Sequence, residues 1–232
     1  MPVDVIQSGL MTDTTDDPRL EAAIALRKLN DAFVAHDAED DLLRGIAAFA
    51  HDAIEQLRNG SRRDRAALLT AHFDEVFGAV DGVGGVATLP TPANPMTDRA
   101  IGGTTNPISV EYEMEIVGEE AVVRTTLGTA YEGAPGRSHG GMVAALFDDF
   151  TAFVLPLAKT AAYTGELTVR YHRPVPIDAP LEFRSRIVSQ EGRKLRVAGE
   201  CTAEGQVVAS TEVLFITIDF QTFGQTLIQS DN

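Results

Sequence analysis

The sequence predicts an α+β protein: a six-stranded antiparallel sheet wrapped around one central helix, preceded by an N-terminal helical arm. Three observations predict it. Apolar residues recur at helical spacing through the first third of the chain, and from Pro107 onward the period drops to two. The run Met142–Leu157 is apolar on every face, its polar exceptions being Asp148, Asp149 and Thr151. A helix apolar all round must be covered on most sides, and a wrapped sheet can cover it.

Composition bounds the rest. A chain of 232 residues, 44% hydrophobic, fits one large domain or a compact domain with an appendage, and has ample material for a core. The formal charge of -15 excludes a nucleic-acid binder, whose affinity rests on phosphate neutralisation by Lys and Arg. Basic residues are nonetheless clustered: eight of the 11 beyond residue 80 fall between Lys159 and Arg196, which makes a local basic face. Cys201 is the only cysteine, so neither an intramolecular disulfide nor a Cys-based zinc site is expected. Its alternating context reads as a small core hydrophobe. His36, His51 and His72 fall on helices without a carboxylate constellation, so we expect no metal and no cofactor. The N-terminus lacks a basic n-region and an apolar run of signal length. No stretch approaches about 20 consecutive apolar residues, so a cytoplasmic protein without a membrane span is expected.

The elements follow in order. Residues 1–77 form the arm, with a loose polar start. Asp17-Pro18 reads as a cap and first helical position, opening a helix to about His36 with Leu20, Ile24, Leu26, Leu29 and Phe33 inward. A second helix runs from about Asp41 to Arg58, with Leu42, Ile46, Phe49, Ala53 and Leu57 at helical spacing and Asn59-Gly60 closing it. A third spans about Arg62 to Val76, carrying Leu69, Phe73 and Val76. Residues 78–106 are a Gly/Pro-rich linker or covering loop. It contains GVGGVA, the spacing of a dinucleotide-binding turn, but TLPTPANP follows and cannot be the helix such a turn needs. Residues 107–220 are the sheet domain and 221–232 a tail. SVEYEMEIV alternates as a half-buried strand, and AVVRTTL is its hairpin partner across Gly118. After the helix at 140–158 come strands at Glu166–Tyr171, Leu181–Ser189, Lys194–Ala203 and Val207–Ile218, with turns at Glu191-Gly192 and Glu204-Gly205.

The central helix poses a problem. A buried, unpartnered carboxylate costs several kcal/mol, so at least one of Asp148 and Asp149 must reach water, a partner or a substrate. The SHGGM that opens the helix points to the last of these. Two glycines admit close approach to the backbone, and free N–H groups at a helix start favour the negative charge an acyl carbonyl develops under attack.

Taken together, YEGAPGRSHGGMVAALFDDF, GELTVRYHRPVP, EGRKLRV and STEVLFITI resemble the hotdog-fold acyl-CoA thioesterases of the PaaI-like type, especially the subgroup with a YEG-P-G--HGG loop. The resemblance covers residues 107–219. It implies a hotdog fold and hydrolysis of acyl-CoA to free acid and CoA. It implies that the N–H of Gly140, with Gly141 and His139 in the same motif, polarises the carbonyl. Asp148, nine residues after His139, becomes general base or nucleophile, and Thr164 positions the attacking water or intermediate. Asp149 matches a position that is often acidic. Relatives with a shorter loop place an Asn six residues before the His, where this chain has Gly133. Arg170, Arg173, Arg193 and Lys194 are the expected partners for CoA phosphates.

Spacing adds one constraint. Gly140 and Asp148 are eight residues apart, about 12 Å of rise on one helix, whereas a base must come within about 3 Å of the proton it removes. A homo-oligomer (a dimer or dimer of dimers) that sets two such helices antiparallel would bring one chain's Asp148 to the other's Gly140. Three alternatives stay open: a hotdog enoyl-CoA hydratase, a non-catalytic acyl-CoA binding module, and a structural or interaction protein whose arm is its business. Against the first, FTAFVLPLAKT after the two aspartates lacks the Asp-x-x-x-x-His run that chemistry uses.

Overall fold

The period of two beyond Pro107 becomes a single six-stranded sheet. The computed structural model describes residues 17–64, 67, 95–158 and 160–218. Most of the third expected helix, the GVGGVA turn, the loose start and the C-terminal tail lie outside those residues. The strands are β1 (Tyr112–Val117), β2 (Glu120–Thr126), a small hairpin of β3 (Glu132–Ala134) and β4 (Arg137–Ser138), then β5 (Ala161–Tyr171), β6 (Pro180–Glu191), β7 (Lys194–Ala203) and β8 (Gln206–Ile218). The large sheet has the order β1-β2-β6-β7-β8-β5, every pair antiparallel, so β1 and β5 are its edges. The β7–β8 turn has Glu204 and Gly205 both at positive φ, the conformation a two-residue hairpin needs.

Alternation puts one residue set on the concave face: Ala121 and Val123 of β2, Leu181 and Phe183 of β6, Leu195, Val197 and Cys201 of β7, Val213 and Phe215 of β8, all buried. Against them lies the central helix, here α3 (Gly140–Thr151), which buries Val143, Leu146, Phe147 and Phe150. Burial pushes the Cys201 thiol up to about 12, as suits a core hydrophobe. The run Gly140–Ala158 is long and apolar enough, by length and composition, to cross a membrane; here one side of it packs on the sheet.

Three boundaries differ most from expectation. β1 starts at Tyr112 rather than Ser109, because Ser109 and Val110 bond back to the loop at Asn106 and Ile101. The α-helix ends at Thr151 and continues as 3-10 turns over Ala152–Ala158, because Pro156 lacks the N–H that an α-turn there requires. β5 starts five residues earlier than the alternation shows. A bulge between Thr164 and Glu166 breaks the period that would have revealed those residues.

The arm departs further. Helix α1 (Pro18–Ala35) is capped by Asp17, whose carboxylate accepts from the N–H groups of Arg19 and Leu20. Its inward face is Leu20, Ala23, Ile24, Arg27 and Asp31; of the residues expected inward, Leu26, Leu29 and Phe33 are instead 45%, 41% and 55% exposed. The reason is what it meets. Loops present bare carbonyls and amides, and Arg27 donates to Thr104 O, Asn106 O and Ser109 Oγ while Asp31 accepts from Ala130 N–H. Helix α2 (Asp40–Arg58) buries no residue fully and leaves Leu42, Phe49 and Leu57 exposed in the single chain.

Candidate active site

The start of α3 is built from three local facts. His139, in extended conformation, is its N-cap, and its Nδ1 accepts the Gly141 N–H at 3.0 Å. The neutral ring therefore carries its proton on Nε2. His139 O in turn accepts from Met142 and Val143. That leaves the Gly140 N–H without an internal partner among the described residues, so of the two glycine donors the motif offers, Gly140 holds the free one. The chain turns into this position through the β3–β4 hairpin. A Cβ on Gly133 would sit 2.8 Å from His139 Cα, so the position that carries Asn in shorter-loop relatives has to be bare here.

A groove of about 430 Å³ opens at this point, lined by Arg137, Ser138, Gly140, Tyr171, His172 and Arg173 with Pro174 and Val175 behind. Arg173 donates to Val207 O, and His172 Nε2 lies 2.8 Å from Ser210 Oγ. The groove thus combines a free backbone donor with two guanidinium groups, a setting that favours an anion or a developing oxyanion. Arg137, Tyr171 and His172 are additions to the sequence reading. Tyr171 and His172 are brought here by the packing of the β5 terminus on the start of α3.

Asp148 and Asp149 separate cleanly. Asp148 is exposed, with no hydrogen bond or ion pair among the described residues. Asp149 is largely buried against the loop before β1. Its Oδ1 meets Arg99 at 3.2 Å, and Gly102 comes so close that a Cβ there would lie 2.3 Å from Oδ2. Arg99 also stacks over the Phe153 ring, and the Tyr112 hydroxyl donates to Gly102 O. Burial pushes the Asp149 carboxyl above its ordinary range; Arg99 and the Gly102 N–H pull it back, while Asp148 adds to the rise. The two neighbouring carboxylates thus have different work, one tying a loop and one facing outward.

Within one chain the remaining candidates do not converge on the groove. Thr164 is exposed on β5 beside its bulge, seven residues or about 23 Å along the strand from Tyr171. Arg170 is exposed opposite Ser210, near the groove end. Arg193 donates to Thr217 O, and Lys194 pairs with Ile216, which is also opposite Tyr163; both therefore belong with the Thr164 end. The basic face of the sequence is two groups at opposite ends of the sheet. No His/Cys/Asp/Glu group that could hold a metal occurs among the described residues.

Comparison with known proteins bears on this geometry. Residues 136–210, from the β3–β4 hairpin into β8, match the thioesterase superfamily. The chain is 31% identical over 96 residues to the acyl-coenzyme A thioesterase THEM4 of Mus musculus, and 30% identical over 93 residues to its Xenopus laevis counterpart. These stretches are 40% and 39% of this chain, and the chain spans 40% and 42% of the length of those relatives. A solved thioesterase superfamily protein superposes with a TM-score of 0.66 at 25% identity, covering 86% of this chain and 95% of that one. Coverage that wide takes in residues ahead of the sheet domain.

Proposed function

From the match of residues 136–210 to the thioesterase superfamily, we propose that this protein hydrolyses acyl-CoA thioesters to the free acid and CoA. The observation that carries the reading is the Gly140 N–H, without a partner among the described residues, on a residue that lines a groove with Arg137 and Arg173. The thioester carbonyl oxygen would lie on that N–H. As water adds to the carbonyl carbon the oxygen gains charge, which the donor and the first turn of the helix stabilise. Asp148 takes the proton from the attacking water. Collapse of the adduct breaks the C–S bond, and the departing CoA thiolate is protonated.

The donor and the base come from different chains in this reading. Edge strand β5 offers unpaired backbone groups, and two copies joined there antiparallel would cover one edge on each subunit. Such a pair reverses one sheet against the other. The Thr164, Arg193 and Lys194 end of one chain then approaches the Gly140 groove of its partner, reuniting what the single chain separates. Basic side chains from both chains would hold the CoA phosphates.

The test is thiol release across a panel of CoA esters from short aliphatic through phenylacetyl to long-chain. Turnover of at least one class, lost in Asp148→Asn, supports the reading. Tight binding of the esters without any thiol release would make the protein an acyl-CoA binding module instead.

A further inference from the structure

The geometry points to Tyr171 as a positioning residue that, with His139, sets the Gly140–Gly141 peptide and so the backbone turn at Gly140, whose free N–H lies in the preceding peptide. Tyr171 is the last residue of β5, and its hydroxyl donates to Gly140 O at 2.5 Å. Its ring lies against the glycine itself. A Cβ at residue 140 would be 3.3 Å from the Tyr171 hydroxyl oxygen and 3.4 Å from its Cζ. The same peptide unit gives its N–H, that of Gly141, to His139 Nδ1. Tyrosine O–H, Gly140 carbonyl, Gly141 N–H and imidazole thus form one continuous chain of hydrogen bonds, each polarising the next.

Two consecutive glycines have little intrinsic preference, and the first turn of a helix lacks the hydrogen bonds that hold its interior. The Gly140 carbonyl is already in the bond ladder of α3, so the Tyr171 hydroxyl is a second donor to it, from outside the helix. His139 grips one side and Tyr171 the other. Partial burial pushes the phenol above its ordinary pKa, so it stays protonated and remains a donor. An oxyanion donor is worth about 10²–10³ in rate when well aimed, so partial misalignment is costly. The kinetic part of this inference rests on the thioesterase reading; the hydrogen-bond part does not.

The experiment uses the full chain labelled with ¹⁵N-glycine, comparing wild type, Tyr171→Phe and Tyr171→Ala. Tyr171→Phe keeps the ring and removes only the hydroxyl. The expected result is an upfield shift and weaker exchange protection of the Gly141 amide proton, with kcat down about tenfold and KM within twofold; Tyr171→Ala should lose more of both. An unmoved Gly141 amide in Tyr171→Phe overturns the inference, as does wild-type kcat in an enzyme that turns over. A responsive amide in a wild-type protein inert toward every thioester would sink the hydrolase reading while leaving the Tyr171 assignment standing.

Discussion

At residue scale the two adjacent aspartates divide the labour, and that division is measurable. Asp148→Asn should abolish turnover, by about 10²- to 10⁴-fold, while leaving fold and acyl-CoA binding intact. Asp149→Asn should lose far less, because Asp149 spends its charge on Arg99. Initial rates and binding isotherms of the two variants decide this; a dead Asp149→Asn beside an active Asp148→Asn would reverse the assignment. Asp149 also makes a stability prediction whose sign is unusual for a carboxylate. Its pKa is raised in the folded state, so the fold binds that proton to higher pH than the unfolded chain does. Stability from this group is full below the ordinary carboxylate value and falls as pH rises through the raised one. Relative to Asp149→Asn, wild type should therefore lose stability as pH climbs through that window. Arg99→Ala should cost about 1–3 kcal/mol near neutral pH, since it leaves the buried carboxylate without its cation. Urea titrations of the three proteins at several pH values test both; a gap that grows in favour of wild type with pH would contradict the burial argument.

At the scale of elements, the alternation of β6 and β7 was readable because each buries one face and shows the other to water. β5 was half hidden. It is an edge with a bulge at Thr164, and none of its residues is fully buried, so no buried face imposes a period. The start of α3 was legible from HGG alone, since capping and glycine geometry are local. The groove was not, because Tyr171 and Arg173 reach it only through the long-range packing of β5 on α3. Helix α1 misled for a different reason: apolar periodicity points at a core, whereas α1 docks on loop backbone through Arg27 and Asp31. The split of the basic residues also belongs here. Arg193 and Lys194 sit on the β6–β7 hairpin, far from this chain's groove, so their effect should report on the partner's site. Arg193→Ala or Lys194→Ala should raise KM for CoA esters by an amount worth about 1.5–3 kcal/mol, with little change for small thioesters lacking the nucleotide. Equal KM changes on both substrate types would remove the phosphate argument.

At the scale of the whole molecule, the account stands on the site being shared. A single helix keeps its donor and its carboxylate about 12 Å apart, and nothing in one chain brings another exposed carboxylate of α3 to Gly140. The direct measurement is complementation between Gly140→Pro, which deletes the donor, and Asp148→Asn, which deletes the base. Proline is tolerated at the first helical position, and His139 before it is already extended, so the variant should fold with a small displacement of Tyr171. Each variant alone should be inactive. Mixed in equal amounts, dissociated and reassociated, half the dimers pair one of each and regain one intact site of two. The account predicts recovery of roughly a quarter of wild-type activity, with heterodimers seen by native mass spectrometry. Heterodimers formed without any recovery would contradict it, and would put both groups to work within one chain.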